Sequence, residues 1–232
     1  MKIFYEYVDI DSLVKMFVMQ EIGLNPDGFI SSLYFNKDAN GIMYVGPVWD
    51  QDMTLGTGWN KYIDASIQDY HYLAEALINI PIFNAKLAKF FEDEAVAIIE
   101  NTIAKDGVID NHYNALYKNA EMNYVLWPYV RVGNPQKDGH IWNNANYNGV
   151  VTDMKAWLGA RLGYLKERFI YEFDLGDANC DGAVNSDDAL LVLRHAVGYI
   201  DDNFNIKYAD INSDRIVNSD DALEILRYAV SH

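Results

Sequence analysis

Cysteine is almost missing. One residue, Cys180, stands alone in 232, so the chain closes no internal disulfide and its redox compartment cannot be read from bridges. Positive charge is scarce too: 18 Lys and Arg face 34 Asp and Glu. The resulting net charge of −16 argues against nucleic acid as the main partner, because phosphate binding needs a basic surface. No apolar run approaches the roughly 18 residues of a membrane span. The opening MKIFYEYVDIDS places acids where a signal peptide would hold its apolar core. The chain is therefore read either as cytoplasmic or as lacking its true N-terminus. Several chemical signatures are also missing. The five histidines (His71, His112, His140, His195 and His232) form no H-E-x-x-H, and each reads as core or surface filler. No G-x-S-x-G elbow occurs, and LGTGWNK (Gly56, Gly58) lacks the third glycine of a G-x-G-x-x-G loop.

What is present excludes disorder. Half of the residues are apolar and 14% aromatic, enough for a sizeable core in one or two domains. The acid excess suits divalent cations or basic surfaces. The strongest organisational signal is an internal repeat. Residues 177–197, DANCDGAVNSDDALLVLRHAV, align without gaps on 210–230, DINSDRIVNSDDALEILRYAV, matching at 14 of 21 positions with an offset of 33. The connector YIDDNFNIKYA reads as an ordered link. The last 56 residues carry 4 basic and 11 acidic groups, and the first 176 carry 14 and 23.

The repeat has the spacing D-x-N-x-D-G-x5-D, that of an EF-hand loop with Asp in place of the final Glu. Calcium takes six to eight oxygens, which a twelve-residue loop supplies from alternate side chains and one carbonyl. The first candidate site uses Asp177, Asn179, Asp181 and Asp188, the carbonyl of Ala183, and Asn185 directly or through water. The second uses Asp210, Asn212, Asp214 and Asp221, the carbonyl of Ile216, and Asn218. Three carboxylates per loop repel one another without a cation, which predicts metal-coupled folding and two bound Ca2+. Gly182 occupies the sharp turn of the first loop, but Arg215 stands at the equivalent place in the second. A left-handed backbone there costs Arg about 1 kcal/mol more than Gly, so the second site is expected to be weaker or slower to form.

A single amphipathic helix follows each loop (ALLVLRHAV, ALEILRYAV), with no entering helix. On these residues the tail resembles a type I dockerin, the duplicated F-hand module that docks proteins onto cohesins. By that resemblance the cohesin contacts fall on Ser186, Asp187, Leu193 and Arg194, and on Ser219, Asp220, Leu226 and Arg227. The two sets are identical, which implies two alternative binding orientations related by a 180° rotation. For the leucines the competing reading is core packing, and for the arginines a solvated face.

Upstream, helical periodicity runs through 9–22, 82–104 and 151–170. The runs 29–35 (FISSLYF) and 42–49 (IMYVGPVW), separated by KDANG, read as a hairpin. Residues 128–149 read as a long loop. The succession of helix, LNPDGF, LYFNKD and VGPVWDQDMTLG resembles the later part of the CotH (spore coat protein H) kinase family, an atypical kinase-like fold. The helix KAWLGARLGYLKERF, with Arg161, adds to the likeness. Asp50 and Asp52 lie two apart, on one side of an extended chain and within reach of one metal ion. The resemblance implies Asp27 as the carboxylate that orients or deprotonates an acceptor hydroxyl. It implies Asp50, with Asp52, as Mg2+ ligands for ATP-dependent phosphoryl transfer. Only 26 residues precede Asp27, with Lys2 and Lys15 as their lysines. These residues do not supply a kinase's nucleotide-binding small lobe, so efficient kinase activity is not expected if this polypeptide is the complete functional unit. It reads as a truncated product or a fragment whose upstream half carried the signal peptide. Two competing readings for the cargo are a glycoside hydrolase-associated domain and a structural or adhesive one. Trp127, Tyr129, Trp142 and Tyr147 are candidates for sugar stacking in the former.

The expected architecture is α+β. A mostly helical, truncated kinase-like domain with a small hairpin (1–172) is joined by a linker (173–176) to an all-α duplicated F-hand dockerin (177–232). The expected partner is a cohesin of a scaffoldin, with no nucleic acid and no membrane span. The expected place is outside the cell, in a bacterial, cell-surface cellulosome devoted to polysaccharide breakdown.

Overall fold

The computed structural model describes residues 6–56, 63–69, 71–127, 147–170, 173–199, 201 and 203–231. The chain forms two compact units: 1–75 with 90–169, and 76–89 with 170–232. Residues 76–89 thus fall in the second unit, although the periodicity that contains them runs on into the first.

In the first unit, helix α1 (Ile10–Gly23) starts where Asp9 accepts the Ser12 amide at 2.7 Å and stops at Leu24, whose φ of 49° is left-handed. It is buried nearly all round, so it forms the centre of the unit rather than a half-exposed layer. Strands β1 (Phe35–Lys37) and β2 (Met43–Val45) pair antiparallel, Phe35 opposite Val45 and Lys37 opposite Met43. The hairpin is as expected, but its strands are shorter than the apolar runs, and residues 29–32 form a turn closed on the Asp27 carbonyl. Its outer strand edge is tied to the start of α1, where the Val45 amide donates to Ser12 Oγ at 3.0 Å.

A short 3-10 turn (Ile67–Asp69) and helix α2 (Tyr72–Ile78) lead to α3 (Pro81–Phe90), a π-helical turn (Phe91–Ala95) and α4 (Val96–Ile103). The expected 82–104 helix is therefore one run with a one-turn π-bulge. Helix α6 (Tyr147–Phe169) packs against α1, α4 and α5. Phe17, Phe91 and Phe169, all fully buried, meet edge to face: Phe17–Phe169 centroids are 6.1 Å apart and Phe91–Phe169 5.5 Å. Each such ring contributes about 1.5–3 kcal/mol by burial. Helix α5 (Val108–Leu126) has no buried residue among those described. It has no apolar stripe to announce it, and the sequence reading did not contain it. The loop expected over 128–149 lies outside the described residues up to 146, and 147–149 already belong to α6.

The second unit is built on α7 (Ser186–Ala196) and α9 (Ser219–Ser231), with a short α8 (Ile206–Ala209) between them. Its core repeats with the sequence. Ala178 and Ile211, Val184 and Val217, Ala189 and Ala222, and Val192 and Ile225 are pairs of equivalent positions that pack into one cluster. The connector contributes Phe204 and Ala209 to that cluster, so it is an integral part of the core.

Candidate functional site

The two acidic loops are the same structure twice. In the first, Asp177 Oδ1 accepts the Asp181 amide at 3.1 Å and its Oδ2 the Gly182 amide at 2.9 Å. In the second, Asp210 Oδ1 accepts from Asp214 at 3.0 Å and Oδ2 from Arg215 at 2.8 Å. Asn179 and Asn212 each accept the amide two residues on, at 2.8 Å. Asp181 accepts from Ala183 at 3.0 Å, and Asp214 from Ile216 at 2.8 Å. The Asn185 side chain donates to the Ala183 carbonyl, and that of Asn218 to the Ile216 carbonyl.

Each loop is closed by its last aspartate. Asp188 takes the amides of Asn179 (3.0 Å) and Asn185 (2.8 Å), completing a capping box at the start of α7. Asp221 takes those of Asn212 (3.3 Å) and Asn218 (3.0 Å) at the start of α9. All twelve sequence-derived positions therefore lie on two closed loops, with every candidate carboxylate aimed by backbone amides.

The electrostatics of the first loop favour a cation. Asp177 and Asp188 are buried, and neither belongs to any ion pair found among the described residues. Burial, aided by the other loop carboxylates, pushes Asp188 up to about 6 and raises Asp177 above the ordinary aspartate value. Among the described residues no three His, Cys, Asp or Glu side chains already close into a metal cage. The loops rely instead on carboxylates together with asparagine oxygens and a carbonyl, which is the hard, all-oxygen donor set of calcium. The residues fit that ion. The turn position behaves as its sequence suggests: Gly182 has φ 91° and Arg215 has φ 72°, both left-handed.

The helices after the loops carry the expected docking residues outward. Leu193 and Leu226 are 41% and 38% exposed, so the core-packing reading of these leucines does not hold; Val192 and Ile225, both fully buried, take that role. Arg194 pairs with Asp201 at 3.2 Å and lies over the Tyr199 ring, and Arg227 pairs with Glu224. Ser186 and Asp187, like Ser219 and Asp220, occupy the first turns of α7 and α9. Sequence reasoning missed the company these residues keep. Leu190, Leu193 and the C-cap residue Val197 of one helix, and Leu223, Leu226 and Val230 on the other, are exposed at equivalent positions. The signal was available in apolar residues at three- and four-residue spacing on the face opposite the core.

In the first unit, Asp27 and Asp50 are drawn to one place by a residue that sequence reasoning overlooked. Asn25, fully buried, accepts the Asp27 amide at 3.0 Å and donates to the Asp50 carbonyl at 3.2 Å. Ser32 donates to Asp50 Oδ2 at 3.3 Å. His71 is buried beside Asp27, and desolvation lowers its imidazole below the usual value against the pull of the Pro26 carbonyl and Asp27. Gly28 allows a close approach, since a Cβ there would lie 2.6 Å from the Gln20 amide.

The extended geometry expected for Asp50 and Asp52 is corrected. Strand β2 ends at Val45, Asp50 has a left-handed φ of 59°, and Asp52 lies in the turn that follows. The alternation that would align them on one side holds only in extended chain. The side chains present do not close a Mg2+ cage, and no such cluster occurs among the described residues. Of the aromatic group, Trp127 is 50% exposed and Tyr147 stacks on Tyr113 at 5.3 Å, while Tyr129 and Trp142 lie outside the described residues, as do Lys2, Gly58, His140 and His232. His195 stacks on Phe204 at 4.5 Å.

The most conspicuous buried charge is elsewhere. Arg161 and Glu21, both fully buried, pair at 2.8 Å. Arg161 Nε and Nη2 also donate to the Glu21 carbonyl, and Nη1 to the carbonyls of Ile63 and Ala65, while Ser66 donates to Glu21. Burial raises the Glu21 carboxyl and lowers the Arg161 guanidinium, each opposed by the other's charge. This pair joins α6, α1 and the 63–66 segment.

These features define a calcium-binding docking module carried behind a kinase-related domain. Comparison with family models agrees: residues 2–165 match the CotH kinase protein family and residues 175–228 the type I dockerin domain. The chain belongs to the CotH kinase protein family and carries a C-terminal type I dockerin. No curated protein and no solved structure gave a significant match. Type I dockerins bind calcium and anchor the proteins that carry them to cohesins of cellulosome-type complexes, typically outside the cell. Among the described residues no helix is long and apolar enough to cross a membrane.

Proposed function

We propose that this chain is a calcium-dependent anchor that hangs its CotH-like domain on a cohesin of a secreted, bacterial, polysaccharide-degrading scaffold. The observation that carries this reading is the pair of loops with matching hydrogen bonds, one of which buries two carboxylates that pair with no side-chain cation among the described residues. Asp177, Asn179, Asp181, Ala183, Asn185 and Asp188 hold one ion, and Asp210, Asn212, Asp214, Ile216, Asn218 and Asp221 the other. Bound calcium supplies the positive charge that lets three carboxylates converge. The chain itself does the rest: backbone amides aim the carboxylates, and the capping boxes start α7 and α9 so that their exposed faces are presented. Leu193 and Arg194, or Leu226 and Arg227, with Ser186 and Asp187 or Ser219 and Asp220, then meet the cohesin through either helix. The division in sequence is 1–172 for the cargo and 177–232 for the docking module, with 76–89 of the former packed into the compact unit of the latter. Calorimetry on the full chain should show two calcium ions taken up, and binding to an immobilised cohesin panel should vanish in chelator. Cohesin binding that survives chelation would refute the reading. Single Arg194→Ala or Arg227→Ala changes should be tolerated and the double change should weaken binding; a large loss from one alone would refute two orientations.

A second reading, phosphoryl transfer by Asp27 with Asp50 and Asp52, has one observation in its favour: Asn25 ties the Asp27 and Asp50 segments together. Titration with Mg·ATP, on this chain and on one extended upstream, separates it from a structural or adhesive cargo.

A further inference from the structure

One of the four positions at which the two calcium loops differ in sequence is also different in its surroundings. The fourth loop position is Cys180 in the first and Ser213 in the second, with left-handed φ values of 56° and 60°. Ser213 is exposed, whereas Cys180 is buried at 5%. What covers it is α3. Cys180 packs with Ala85 and Tyr208, with Phe173 alongside, and Phe173 meets the Tyr208 ring edge to face at 5.5 Å. One turn along the same helix, Lys89 Nζ donates to the Phe204 carbonyl at 3.2 Å, in the connector between the two loops. Residues 76–89 belong to the same compact unit as the loops. A thiol suits a dry contact and a hydroxyl a wet one, so this substitution between the repeats follows the cover.

We propose that residues 81–89 are an added helix of the docking unit, seated on its first calcium loop, and that its seating and calcium uptake at that loop reinforce one another. This rests on the assignment of Asp177, Asn179, Asp181 and Asp188 as calcium ligands. Cys180 sits between Asn179 and Asp181, so fixing its side chain and its left-handed backbone restricts the loop to the conformation in which these neighbours face inward. Pre-organisation of this kind raises affinity by removing an ordering cost. The coupling is reciprocal, so calcium at loop 1 must tighten the helix by the same factor. Loop 2 has no such cover at Ser213 and is independent of it.

The single cysteine provides the readout. In the full chain, alkylation of Cys180 by iodoacetamide should be slow in calcium and faster in chelator. Ala85→Glu should accelerate it about tenfold or more, and Lys89→Ala, at an exposed position, should act in the same direction by less; since both changes disfavour the thiolate, acceleration reports uncovering. Calcium affinity is then measured by calorimetry with one loop disabled. With Asp221→Asn, which leaves loop 1, Ala85→Glu and Lys89→Ala should weaken binding, the former about fivefold or more. With Asp188→Asn, which leaves loop 2, neither should matter. Unchanged loop 1 affinity in both variants, or a wild-type Cys180 that reacts as fast as in the unfolded chain, overturns the proposal while leaving the calcium sites standing. Absence of calcium uptake in the wild type overturns both.

Discussion

Both units bury carboxylates, and they solve the resulting problem in opposite ways. Glu21 is answered from within: Arg161 meets it at 2.8 Å, Ser66 donates to it, and the arginine's remaining donors find carbonyls. Among the described residues the side chains of Asp177 and Asp188 receive backbone amides and no cationic side chain, which suits them to an ion from solution. The first arrangement supplies its own counter-charge. On the proposed assignment, the second ties the fold of the docking unit to calcium.

The contrast can be broken in four ways. Calcium withdrawal should act on the second unit alone. With free calcium 1,000-fold above Kd, each loop loses about 4 kcal/mol of stabilisation on chelation, read by circular dichroism melts as loss of α7 and α9. Melts that superimpose with and without chelator would abolish the distinction. Arg161→Met should cost the first unit about 3–5 kcal/mol in denaturant unfolding, since it strands Glu21, and Glu21→Leu in the same chain should recover much of it. The loss should be the same with and without calcium.

Acidity should separate the units next. The carboxyl of Asp188 is raised by burial to about 6 from an ordinary 3.8. A raised folded value means that stability is fully present below the unfolded value and lost as pH rises through the folded one. In chelator, the second unit should therefore gain stability as pH is lowered from 7 towards 4, and Asp188→Asn should flatten that profile. A loss over this range would contradict the burial of an uncompensated carboxylate. The smallest effect distinguishes the loops from each other. At Gly182 a Cβ meets nothing within 4 Å, so Gly182→Ala should cost only the left-handed backbone, about 1 kcal/mol. Arg215→Gly should return a similar amount, seen as tighter calcium binding at loop 2.

How much of this could be read in advance follows from where the determinants lie. The loops, their ligands and the sharp turn at 182 and 215 are local, and local spacing specifies them. The same is true of α1 and of the run 82–104, whose apolar periodicity survives a π-turn. Helix α5 was invisible because periodicity reports burial, and α5 buries nothing among the described residues. The Arg161–Glu21 pair joins residues 140 apart, and no spacing rule reaches that far. The extended geometry expected of Asp50 and Asp52 fails because alternation does not hold past the end of β2, where Asp50 has a left-handed backbone. The fate of residues 76–89 was hidden for the same reason as the buried pair: their partner, the Cys180 loop, is remote in sequence.

Burial of the only thiol has a chemical consequence in the medium where dockerins typically work. An accessible cysteine outside the cell is oxidised to sulfenic acid or captured in mixed disulfides. Cys180 is sheltered, and burial pushes its thiol up to about 12, so the reactive thiolate is scarce. Intact molecules can thus persist in air without reductant. A molecule that opens even briefly exposes a group whose oxidation products no longer fit beneath the helix, and damage accumulates only in those that have already let go.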